Sequence, residues 1–88
     1  MKPLNFAILK FFTDGKEYCR KDVQEALKAD YGTFKAFKDK QMDEALMTAK
    51  SNGLIEESRL DLDADGKLVI YYKANQDGID AINSYIKD

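Results

Sequence analysis

The sequence predicts an α+β domain, and three observations carry that expectation. Between Ser58 and Lys73, apolar and polar side chains alternate on both sides of Asp65-Gly66, the pattern of a β-hairpin. Met42, Ala45, Leu46 and Ala49 form an apolar stripe at helical spacing before it, closed by Asn52-Gly53. Ile79, Ile82 and Ile86 form a second such stripe after it. The 88 residues leave room for one domain, residues 1–88, with a single core.

The elements follow in order. Pro3 suits a first helical turn, and Leu4, Ala7, Ile8, Phe11 and Phe12 share a face, so residues 3–12 are predicted as the first helix. Phe6 and Leu9 project from its other side, so this helix needs cover on two faces. Thr13-Asp14-Gly15-Lys16 ends it, and Glu17-Tyr18-Cys19 reads as a minimal strand. Asp22 is the expected cap of a second helix reaching about Ala29, with Val23, Ala26 and Leu27 inward. Residues 33–37 read either as an extended loop or as the opening turn of the next helix, with Phe34 and Phe37 inward. A third helix runs from about Lys38 to Asn52. Leu54 and Ile55 then enter the core. In the hairpin, Leu60 and Leu62 alternate with Asp61 and Asp63, and Leu68, Ile70 and Tyr72 alternate with Val69 and Tyr71; one alternate set is expected to face a shared interior. A last helix runs from Asp77 to about Lys87.

Composition narrows the chemistry. The chain has 44% hydrophobic and 34% charged residues, the balance of a folded globule. It has no histidine, so the commonest general base and metal ligand are missing. Its one cysteine, Cys19, is read as a small core residue rather than a reactive thiol. No constellation of nucleophile, base and orienting group is visible, so no enzymatic activity is expected. Asp61, Asp63, Asp65 and Gly66 match the opening of a calcium loop, but the closing position that demands a glutamate is Tyr72 and the flanks are strand-like. No metal or cofactor is therefore expected. The apolar run from Pro3 to Phe12 is about half of what a membrane span requires, and a cytoplasmic location is the expectation.

The order helix, short strand, helix, helix, hairpin, helix resembles that of winged helix-turn-helix proteins. Ser51-Asn52-Gly53-Leu54-Ile55-Glu56-Glu57 is similar to the end of a recognition helix running into a wing. The stretch from Tyr71 to Ile82, an aromatic strand, a polar turn, a glycine and a helix, resembles the matching junction in PadR-like and MarR-like bacterial regulators. The resemblance implies a transcriptional regulator whose third helix enters the DNA major groove while the wing touches flanking phosphates.

The charge pattern supports that implication in part. Residues 1–40 carry nine Lys/Arg against six Asp/Glu, and residues 41–88 carry five against ten. Lys16, Arg20 and Lys21 lead into the second helix, and Lys35, Lys38 and Lys40 into the third. With Gln41, Thr48 and Ser51 on the exposed side of the third helix, they are the candidate DNA contacts. Asp43 and Glu44 on that helix, and the three aspartates at the hairpin tip, oppose a polyanion. They favour the alternative of a protein-interaction adaptor without affinity for nucleic acid. Phe6, Leu9, Ile79, Tyr85 and Ile86 are the candidate surface of a homodimer; the competing expectation is that the first and last helices cover each other within one chain.

Overall fold

The computed structural model describes residues 1–87. Among them it has four α-helices and one three-stranded antiparallel sheet, an α+β architecture. The order is α1 (Leu4–Phe11), β1 (Tyr18–Cys19), α2 (Arg20–Tyr31), α3 (Asp39–Ser51), β2 (Glu56–Leu62), β3 (Leu68–Lys73) and α4 (Gln76–Tyr85). Short 3₁₀ turns cover Phe12–Asp14 and Lys35–Phe37. The predicted element order holds, and the differences lie at the ends.

α2 starts two residues before Asp22. The aspartate is not the cap but sits one turn in, where its carboxylate accepts the Cys19 N–H at 3.0 Å. The helix also continues to Tyr31, because that ring is buried and its hydroxyl donates to the Lys2 carbonyl. Ala26, expected inward, is exposed. Residues 33–37 match neither expectation fully. They hold a separate 3₁₀ turn, split from α3 by the extended backbone of Lys38, with Phe37 half-buried and Phe34 largely exposed.

α3 ends in a Schellman motif. Gly53 adopts φ 75°, the Leu54 N–H reaches the Ala49 carbonyl, and the Gly53 N–H reaches that of Lys50. α4 is capped by Asn75, whose side chain accepts the Gly78 N–H at 2.9 Å, so it opens one residue before Asp77. Gly78 permits the close approach of α4 to the α3–β2 connection. A Cβ there would lie 2.3 Å from the Leu54 carbonyl oxygen.

β3 is the central strand, with β1 and β2 on either side. Tyr18 faces Tyr72, Leu60 faces Ile70 and Leu62 faces Leu68. A bulge lies between Glu57 and Arg59, and the extra residue, Ser58, resets the alternation of β2. Leu60 and Leu62 therefore share a face with Ile70 and Tyr72, while Arg59 and Asp61 take the opposite one. The turn is a three-residue loop. The Gly66 N–H bonds the Asp63 carbonyl, the Asp63 N–H bonds the Lys67 carbonyl, and Gly66 takes φ 78°.

The core gathers Ile8 and Phe12 from the first helical segment, Val23, Met42, Leu46, Ile55, Tyr72 and Ile82, all buried. The hairpin contributes to it only at its base. Leu60, Leu62 and Leu68, expected to face the interior, are exposed, because the two strands extend past the helices that would cover them. Ile86, placed on the candidate dimer surface, is instead buried in the core. α1 and α4 pack together within the chain. The Phe6 and Tyr85 rings meet edge to face at 5.8 Å, and Lys10 donates to Asn83.

Candidate functional site

The starts of α2 and α3 are fastened together by two side chains of α2. The Arg20 guanidinium lies 3.1 Å from the Asp43 carboxylate and 3.5 Å from that of Asp39, and its Nε donates to Gln24. The Gln24 amide donates to the Phe37 carbonyl and to the Asp39 carboxylate, both at 3.0 Å. Arg20 is thus half-buried and engaged, and as a candidate phosphate contact it is already spent on two carboxylates. The same bonds offset one of the two negative charges that Asp39 and Asp43 set beside α3, leaving the cluster with one.

Around this clamp the candidate lysines remain exposed. Lys16, Lys21, Lys35, Lys38 and Lys40 all lie on the surface, and none is ion-paired among the described residues. Gln41, Thr48 and Ser51 are exposed on α3. Thr48 lines a cleft of about 210 Å³ between α1 and α3, with Asn5, Leu9 and Asn52. Asp43 and Met47 look the other way, into a groove of about 520 Å³ that the hairpin and the start of α2 close. Lys40, Glu44 and Ser51 occupy the ridge between the two.

The hairpin's charges are largely self-satisfied. Asp63 Oδ1 accepts the N–H groups of Asp65 and Lys67, each at 2.9 Å, and the Lys67 amide is the main reason its carboxyl is held below the usual range. Asp61 accepts the Leu62 N–H and a bond from Arg59, and its carboxyl is lowered for those reasons in that order. On the outer face Arg59 stacks over the Tyr71 ring at 3.8 Å and donates to Glu17 at 3.0 Å. Glu17 also accepts the Ser58 hydroxyl at 2.7 Å, and the two bonds lower its carboxyl. The hairpin arginine is therefore engaged as well. Among the described residues no three Asp, Glu or Cys side chains converge on a point that would hold a metal.

Sequence reasoning missed the acids opposite Arg20 and the pairing of Arg59 with Glu17, because those partners are 19 to 42 residues away on other segments. It also missed the exposed leucines of the hairpin. A visible signal for the latter was the length of the alternating pattern, longer than one short helix can cover.

Of the candidate dimer residues, Phe6, Leu9 and Ile79 are half-buried and Tyr85 is the exposed one. Among the described residues no helix is long and apolar enough to cross a membrane. No protein-family model matches this chain, and no curated protein matches it.

Proposed function

We propose that the chain is a winged helix-turn-helix domain that binds double-stranded DNA as a transcriptional regulator. The element order and the β1-β3-β2 sheet support the fold reading: α2 and α3 make the helix-turn-helix pair and β2-β3 the wing. The observation that carries the functional reading is the set of unpaired lysines around the joined starts of α2 and α3, with Lys21 on one side and Lys35, Lys38 and Lys40 on the other. Phosphate is gripped by such a cluster, and backbone N–H groups at the helix starts add to the attraction. Arg20 acts as a brace that sets the spacing between the two starts, not as a phosphate contact. Two copies joined at the Tyr85 corner would double the contacts on symmetric half-sites.

Fluorescence anisotropy of labelled duplex DNA tests the reading. Binding should be tight near 50 mM salt and fall by orders of magnitude near 200 mM. Replacing Lys35, Lys38 and Lys40 together by Glu should abolish it, while urea unfolding moves by no more than about 0.5 kcal/mol, as for exposed side chains. Undiminished binding by the triple variant would remove this surface from the proposal.

A second reading has its own observation. Met47 on α3 and the hairpin leucines are exposed on the same side of the molecule, which suits a protein partner better than a polyanion. Absence of any DNA binding at the lower salt favours this adaptor role.

A further inference from the structure

We infer that the Tyr85 ring seats in the cleft between α1 and α3 of a second copy, each copy giving one ring and receiving one. This rests on the homodimer reading above and supplies the socket that reading leaves unnamed.

The ring has one side uncovered. Tyr85 ends α4 and keeps 71% of its surface exposed, and its hydroxyl has no hydrogen-bond partner among the described residues. The edge-to-face contact with Phe6 fixes one side of the ring and leaves the other to solvent. A broad ring that loses little conformational entropy on docking is well suited to anchor an interface.

The cleft has the matching size and chemistry. Its volume of about 210 Å³ exceeds the ~150 Å³ of a cavity that accepts benzene, so one phenol ring fits with its hydroxyl at the mouth. Buried Ile8 and Ala49 and half-buried Leu9 give apolar walls. Exposed Asn5, Thr48 and Asn52 also line it, and their side chains have no hydrogen-bond partner among the described residues. No lining residue is charged, although 34% of the chain is. A carboxylate, ammonium or phosphate entering there would meet no counter-charge, whereas a phenol needs none.

Placement makes the exchange mutual. Phe6, which touches Tyr85, and Leu9, which lines the cleft, stand one turn apart on α1. Ring and cleft thus flank a single helix, about 10 Å wide. A two-fold axis across this face of α1 sets each ring against the other copy's cleft and also covers the half-buried Phe6 and Leu9. The contact uses the C-terminal half of α3. Lys40 lies roughly 12 Å back from Thr48 along the helix axis, so the lysines proposed for DNA stay outside it. Thr48 is thereby a contact between copies and not with DNA.

Sedimentation velocity of the full chain across micromolar concentrations should show a monomer–dimer equilibrium. Its midpoint should be the same at about 50 mM and about 200 mM salt, since no charge pair is involved. Tyr85→Ala should weaken the dimer by about tenfold or more, and so should Thr48→Arg, which sets a long charged chain in the cleft mouth. Both positions are exposed, so the two variants should melt close to the parent chain. Mixing them provides the sharper readout. The intact ring of one variant meets the intact cleft of the other, so the mixed pair regains one of two insertions and should form more tightly than either variant with itself. Charge reversal at Lys35, Lys38 and Lys40 should leave dimerisation unchanged, so failure of the DNA reading does not disturb this test. A monomeric parent chain would remove the homodimer and this contact with it. A dimer that survives Tyr85→Ala undiminished, or no gain on mixing, would keep the homodimer and overturn the contact.

Discussion

Leu46 on α3 has no exposed surface, whereas Leu62 near the hairpin tip keeps 65% of its own, although both belong to regular apolar patterns. Leu46 faces an interior closed by α1, α2, β3 and α4, and each apolar atom there leaves water for a packed neighbour. Leu62 lies on the same side of the sheet as the buried Tyr72 but several residues further out, where β1 has already ended and an open groove separates it from α2 and α3. Strands advance about 3.3 Å per residue, so a hairpin soon outruns the helices packed at its base. Periodicity selects which side chains share a face. Whether that face is covered depends on where the neighbouring elements stop.

The contrast can be broken by truncating one leucine in each region. Leu46→Ala removes fully buried atoms and should cost about 2–5 kcal/mol in urea unfolding. Leu62→Ala removes atoms already in water and should change stability by no more than about 0.5 kcal/mol. Similar losses at the two positions would mean that the hairpin face is covered in solution, as it would be in a stable oligomer. The glycines sharpen the same contrast on a smaller scale. At the base, Gly78→Ala drives a methyl into the Leu54 backbone carbonyl, which cannot rotate aside, and should cost about 1–3 kcal/mol as α4 is displaced. At the tip, an alanine at Gly66 meets nothing within 4 Å and suffers only its left-handed backbone, about 1–2 kcal/mol. Thermal melts of the two variants should rank Gly78→Ala as the more damaging or, at the low end, its equal.

How far the sequence was legible divides along the same line. Helix stripes such as Met42, Leu46 and Ala49 identify their elements because period and burial coincide there. The hairpin was legible as a hairpin, since Asp65-Gly66 marks a turn whatever packs nearby. Its exposed leucines were not, because cover is a property of the whole fold. Ile86 shows the converse: it continues the stripe of α4 but lies just past the helix end, where extended backbone turns it into the core. The candidate site was half legible. The lysines stand where their positions implied, on the surface. Asp39 and Asp43 opposite Arg20, and Glu17 opposite Arg59, come from distant segments, and no local pattern announces them.

The smallest effect concerns acid, and it should separate the two regions without mutation. Glu17, Asp61 and Asp63 are all held below their ordinary carboxylate values, Glu17 by Ser58 and Arg59, Asp61 by the Leu62 amide and Arg59, and Asp63 by the Lys67 amide. A carboxyl that is more acidic folded than unfolded adds stability above its unfolded pKa, and that contribution disappears as pH falls through the folded value. The loss should therefore develop below about pH 4 and fall on the hairpin, which holds or receives all three groups. Because these carboxylates lie in contact with water, the effect should be modest. Amide chemical shifts followed by NMR should move first at Leu62 and Lys67, with the Leu46 amide steady until global unfolding. Glu17→Gln should remove the part that passes through Arg59 and leave the Lys67 response intact. Movement of the core amides before those of the hairpin would mean that acid acts on the interior, and that the self-satisfied charges of the wing contribute nothing measurable to its order.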